Sequence, residues 1–170
     1  MKKVLCLLST LAITQTAAFC QAPQDGVTGK VDISAPAQIV WDAVHHERSS
    51  DPDISYSKVV EQKGNRILLE QKFNTIPIVG EATCLLVQEE TPHKRIDYKM
   101  VRSDKFKEMW GSWIIDESPN GVVLSLHSVL DTGLPYAQSV TNTVLKSKIE
   151  ARLARVKTAA ETLARNKQEK

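Results

Sequence analysis

The chain is predicted to be an α+β protein: a curved antiparallel sheet of about seven strands wrapped around one long C-terminal helix. Three observations lead there. Between Arg95 and Pro135 three strand-like segments follow one another with only turn chemistry between them. From Pro135 nearly to the C-terminus the apolar residues then recur at helical spacing. Upstream, from Tyr56, three further strand-like runs are separated by turns, so a meander is the simplest topology. A curved sheet closed by one helix leaves an apolar hollow between them, and hollows of that kind hold small molecules. The pattern therefore indicates a binder more clearly than a catalyst.

Taken in order, the chain opens with Lys2 and Lys3, an apolar run from Val4 to Leu8 and again from Leu11 to Ile13, and small residues at Ala17 and Ala18. This pattern predicts a secretory signal peptide over residues 1–22, cleaved between 18 and 22. Ser9, Thr10, Thr14 and Gln15 interrupt the run well short of the ~20 residues that a spanning helix needs. Cys20 follows the bulky Phe19, which does not suit lipoprotein processing. The remainder, residues 27–168, is of a length for one domain with one core.

The first strand is read at Lys30 to Ser34, short and at a sheet edge. Pro36 then starts a helix that carries Ile39, Val40, Ala43 and Val44 on one side. His45 to Asp53 is read as a polar loop, with a second short helical turn as the alternative within it, because Ser49-Ser50-Asp51-Pro52 has strong turn chemistry. Strands are expected at Tyr56–Gln62, Arg66–Asn74, Gly80–Glu89, Arg95–Arg102, Glu108–Asp116 and Val122–Asp131. Lys63-Gly64-Asn65 and Pro119-Asn120-Gly121 supply turns, and Ile76-Pro77-Ile78 lies in a loop or at an edge, since proline cannot donate to a ladder. In the last helix Leu145, Ile149, Leu153, Val156, Ala160 and Leu163 fall within an arc of about 80°. Ala137, Val140 and Val144 lie off that stripe, so the first turns are read as a pocket wall or lid.

The formal charge of +2 comes from the two leader lysines, which leave 20 basic against 20 acidic residues in the mature chain. The balance is uneven, with eight basic against three acidic residues from Lys146 to Lys170. Lys146, Lys148, Arg152, Arg155 and Lys157 are most simply a solubilising outer face, and a transient contact with a membrane surface is the secondary reading. The basic helix has no interleaved aromatics, so nucleic acid is not an expected partner. Cys6 leaves with the leader; Cys84 is read as a small buried strand residue, and no structural disulfide is expected.

Several segments together resemble a known superfamily: Val31-Asp32-Ile33-Ser34-Ala35-Pro36, Val40-Trp41-Asp42-Ala43-Val44, Gly111-Ser112-Trp113-Ile114-Ile115 and Gly133-Leu134-Pro135. The chain is similar to the START-like superfamily, within it to the polyketide cyclase/dehydrase and lipid-transport group that includes coenzyme Q-binding proteins. The likeness runs from about Val27 to Leu163 and implies the helix-grip fold. It also implies a lipid, quinone or polyketide-like ligand. Carriers, receptors and cyclases share that scaffold, so the resemblance bears on fold more than on activity.

Strand parity nominates the residues that face the hollow. Ile67, Leu69, Gln71 and Phe73 share the inward face of one strand; Ile96, Tyr98 and Met100 do so in another, and Leu124, Leu126, Ser128 and Leu130 in a third. The other two strands are nearly symmetric, and Leu86 and Trp113 are chosen from them. The expected ligand-binding set is Leu69, Gln71, Phe73, Leu86, Tyr98, Met100, Trp113, Leu126 and Ser128, with Val140 and Val144 from the helix. The competing reading is a filled core and an interaction module without ligand.

Chemistry is sparse. His45-His46-Glu47 with Asp51 and Asp53 has metal-ligand residue types, but adjacent histidines on a helix diverge by about 100°, so a solvated loop is expected and neither metal nor cofactor. His127 falls on the outward parity and is read as exposed. No nucleophile elbow, phosphate loop or zinc-type cysteine spacing occurs. Some cyclases of the resembled group use pocket arginine and tyrosine residues, which makes Arg102 with Tyr98 the pair for an alternative cyclase or dehydratase reading. The expectation is an exported, periplasmic or secreted monomer that holds a hydrophobic small molecule, a binder in preference to an enzyme.

Overall fold

A computed structural model of the protein describes residues 26–76, 79–134 and 138–168. The leader, the Pro77-Ile78 step and the expected start of the last helix at Pro135 lie outside the described residues. The elements are β1 (Val27–Ile33), α1 (Ala37–Ser50), β2 (Ile54–Lys63), β3 (Arg66–Ile76), β4 (Gly80–Thr91), β5 (Arg95–Ser103), β6 (Glu108–Ser118), β7 (Gly121–Asp131) and α2 (Gln138–Gln168). The seven strands form one sheet in the order β1-β7-β6-β5-β4-β3-β2. All pairings are antiparallel. The α+β helix-grip fold expected from the sequence is the fold observed.

Local chemistry explains most boundaries. The Pro36 carbonyl accepts from the amides of Ile39 and Val40 and so opens α1 without a side-chain cap. In contrast to the expected polar loop, α1 continues through His45 to Ser50. Its extra turn is held from outside by α2, against which Glu47 is buried, and from within by the Ser49 and Ser50 hydroxyls, which both donate to the His46 carbonyl. Asp51 then stops the helix and accepts from the Asp53 amide. Strands β2 to β4 carry register shifts at Ile54/Tyr56, Val59/Glu61 and Phe73/Ile76, and a further shift at Leu85/Leu86 interrupts the pairing of β4 with β5. Such irregularities bend and twist a sheet, here into the curve that leaves room under it.

α2 lies over one half of the concave face, against β1 and β7, and packs on α1. Gly29 permits this close approach, since a Cβ there would stand 2.6 Å from Ile149 Cγ2 and 2.8 Å from Leu153 Cδ1. Ile149, Leu153, Val156 and Ala160 are buried with Val40, Trp41 and Val44 of α1 and Leu124 and Leu126 of β7. Leu163, placed on this stripe from its angle, is instead 45% exposed, and the buried position is Ala164. The step of four from Ala160 carries the packed face to Ala164, and its small side chain keeps the helix close. A second apolar cluster, Leu69, Ala82, Cys84, Leu86, Phe106 and Met109, lies away from α2. The hydrophobic face is thus split in two, and the space between is the site.

Candidate functional site

β3, β4 and β5 turn their inward side chains towards a space that α2 borders only with its first turns. About 1260 Å³ lies empty there, the open mouth included. Leu69, Gln71 and Phe73 of β3, Leu86 of β4, Tyr98 of β5, Trp113 of β6 and Ser128 of β7 line it, and Val140 and Val144 of α2 face them. These nine come together from the parity argument. Two nominated residues do not line the space. Leu126 is 1% exposed in the core beneath α2, and Met100 packs against the second cluster. Parity places a side chain on the right face, but its position along the strand decides whether α2 or the hollow lies opposite. Phe106, Met109 and Leu130 complete the apolar wall. Phe106 lies in the β5–β6 loop, where no strand parity could nominate it.

The cavity also has a polar side. At one side the end of α1 contributes Glu47, Arg48, Asp51 and then Asp53, and α2 contributes Lys148 and Arg152. Glu47 and Asp51 are each 5% exposed. Arg155 reaches both Glu47 oxygens, at 2.6 Å from Nη2 and 3.0 Å from Nε. Arg152 pairs with Asp51, and Lys148 with Asp53. The solvated acidic loop expected from the sequence is therefore a buried ion-pair seam, because α1 runs on and carries its acids under α2. Lys148, Arg152 and Arg155 correspondingly turn towards α1 rather than form a solubilising outer face. Lys157 pairs with Glu161 at 2.9 Å, while Lys146 stays exposed. A legible signal existed: acids at 47 and 51 face bases at 148, 152 and 155, both sets at helical spacing.

Arg48 differs from its neighbours. Its Nη2 donates to the Gln88 amide oxygen, and Gln88 in turn donates to Glu90, which also meets His45 Nε2 at 3.0 Å. Burial holds the Arg48 guanidinium below its ordinary value, while Glu47, the hydrogen-bonded partner of Arg155, raises the latter. Tyr98 donates to Ser128 Oγ at 2.8 Å, and burial raises its phenol, so it remains a protonated donor. Arg102, proposed with Tyr98 as a catalytic pair, is exposed on β5. The arginines near Tyr98 are Arg48 and Arg152. Removing the hydroxyl with Tyr98→Phe is expected to cost about 1 kcal/mol in urea unfolding. It should leave affinity for an uncharged apolar dye within about twofold, since such burial needs no phenol.

Other chemical candidates fall away from the cavity. His127 is not freely exposed: Trp110 stacks on it at 5.3 Å and Thr28 Oγ1 lies 2.8 Å from Nδ1, on the face opposite the hollow. Cys84 is buried, and burial raises its thiol, which suppresses the reactive thiolate. Among the described residues no group of three or more His, Cys, Asp and Glu is arranged to hold a metal ion.

Residues 24–161 match the family described as polyketide cyclase/dehydrase and lipid transport. No curated protein matches the sequence. Among solved structures, a protein from Thermus thermophilus is 14% identical with a TM-score of 0.68, over 82% of this chain and 99% of that one. The di-domain ARO/CYC protein StfQ of the steffimycin biosynthetic pathway is 14% identical with a TM-score of 0.61. The likeness covers 86% of this chain and 52% of that one, so this chain spans about half of it. A STAR-related lipid transfer protein from Xanthomonas axonopodis is 14% identical with a TM-score of 0.61, over 78% of this chain and 84% of that one. At these identities the structures share the fold.

Proposed function

The chain belongs to the polyketide cyclase/dehydrase and lipid-transport family, and from that membership we propose that it is an exported carrier of a hydrophobic small molecule. The ligand class is lipid, quinone or polyketide-like, and the site is the hollow between sheet and α2. One observation supports this above the others: α2 covers β1 and β7, while the inward face of β3 to β5 has an apolar wall with no helix packed on it among the described residues. A filled core would have closed that space. The printed names of the lipid transfer and ARO/CYC neighbours support the same ligand class.

Sequestration would work by burial, at about 0.8 kcal/mol for each methylene taken from water. Val140, 46% exposed, and Val144 stand at the mouth, across from Phe73 and Phe106. We place entry there, beside the start of α2. The leader pattern supports export, with the working domain at residues 27–168 acting as a monomer. Any membrane contact during loading would fall to exposed Lys146 rather than to the paired bases of α2.

The test is native mass spectrometry of protein purified from its own host's envelope, with organic extraction of whatever is released. A stoichiometric lipid, quinone or polyketide, on a chain that starts between residues 19 and 23, is the expected result. A bare mass with no uptake from a lipid extract would instead indicate an interaction module without ligand. A second check fills the hollow. Leu130→Trp should weaken binding of the dye N-phenyl-1-naphthylamine by about tenfold or more, for a stability cost of about 1–2 kcal/mol. Unchanged dye binding would put the ligand elsewhere.

A further inference from the structure

We propose that the ligand carries a carboxylate, or an anionic head of the same planar shape, seated between Arg48 and Arg152, with its apolar chain along Leu69, Phe73 and Phe106. The inference rests on the carrier reading above and names the ligand's chemistry within it. It begins from the pairing of charges around the polar floor. Glu47 is taken by Arg155, Asp51 by Arg152 and Asp53 by Lys148. Among the cations that line the cavity, Arg48 alone has no carboxylate in contact among the described residues. Its one hydrogen bond there goes to the neutral Gln88 amide, and Glu90 stands behind that amide, shared with His45.

A guanidinium has five donors, so Arg48 keeps most of them for the cavity it lines. Removing such a cation from water without an anion in contact is costly, and a bound anion would offset that cost. Arg152 adds an independent observation. Its Nε is buried with no hydrogen-bond partner among the described residues, although its Nη2 meets Asp51. Arg48 and Arg152 come from different helices, and each acts on the Tyr98 hydroxyl at the same floor. Arg152 also bears directly on Arg48. Glu47, Asp51 and Asp53 line the same space, but each is engaged by Arg155, Arg152 or Lys148, so the unsatisfied donors there belong to Arg48 and Arg152. A carboxylate can accept charge-assisted bonds from both, one on each oxygen, whereas a neutral ketone or alcohol brings no charge to offset either.

The experiment displaces N-phenyl-1-naphthylamine from the protein with dodecanoate, 1-dodecanol and dodecylamine, which share one tail and differ in charge. Dodecanoate is expected to compete about tenfold or more better than dodecanol, and dodecylamine worst. Arg48→Gln should bring dodecanoate and dodecanol to within about threefold of each other. Dodecanol equal to dodecanoate, or dodecylamine the strongest, would overturn the anionic head while leaving the carrier reading intact. Failure of the dye itself to bind would remove both. Should Arg48→Gln not fold, carboxyl-labelled dodecanoate on the unaltered protein decides. Its carbon resonance should report an ionised carboxylate to well below the pH at which the free acid titrates. Titration like the free acid would overturn the inference.

Discussion

Asp51→Ala is expected to destabilise the protein by about 3–5 kcal/mol, measured as a shift of the urea midpoint at constant slope. Asp51 is 5% exposed and ends α1, where it pairs with Arg152, lies 3.8 Å from Arg155 and accepts from the Asp53 amide. Its removal leaves the partly buried Arg152 beside a hollow, where Nη2 joins the already orphaned Nε as an unpartnered donor of one guanidinium. The neighbouring pair is the control. Asp53 and Lys148 are far more exposed, and Asp53→Ala should cost about 0–1 kcal/mol. A double change, Asp51→Ala with Arg152→Met, should recover much of the loss, because an apolar pair replaces a stranded cation. If Asp51→Ala and Asp53→Ala cost the same, the seam carries no special burden.

The second large effect is expected at Gly111. A Cβ at this position would stand 2.3 Å from the His127 carbonyl oxygen and 2.5 Å from the Tyr98 hydroxyl. The carbonyl is ladder backbone and has no room to yield, so Gly111→Ala should cost about 2–3 kcal/mol. Gly111 pairs with Tyr98 on one side and Ser128 on the other, so the strain falls on the polar floor itself. The Tyr98–Ser128 hydrogen bond should break, and dye affinity should fall more than it does in Tyr98→Phe. A stability change under about 0.5 kcal/mol would show that β6 and β7 separate without difficulty.

These two residues illustrate where the sequence was not readable. Leu69, Gln71, Phe73, Tyr98 and Ser128 reach the cavity because side chains alternate along a strand whatever surrounds it. Leu126 obeyed the same alternation and still fell under α2, since alternation carries no information about which half of the face a helix will cover. Glu47 and Asp51 read as loop acids because Ser49-Ser50-Asp51-Pro52 is turn chemistry taken alone. Contacts with residues more than a hundred positions away held the helix through Ser50. Gly111 gave no warning at all: its requirement comes from a carbonyl and a phenol on two other strands.

The sequence by itself determined the order of strands and helices, the α+β class and the inward face of β3, β5 and β7, because periodicity and turn chemistry are local properties. Only the tertiary structure decided which half of the sheet α2 leaves uncovered. It also decided that Lys148, Arg152 and Arg155 meet α1, while Arg48 meets no carboxylate among the described residues. Those outcomes depend on distances between residues remote in the chain, and the charge of a side chain does not disclose which partner burial will bring to it.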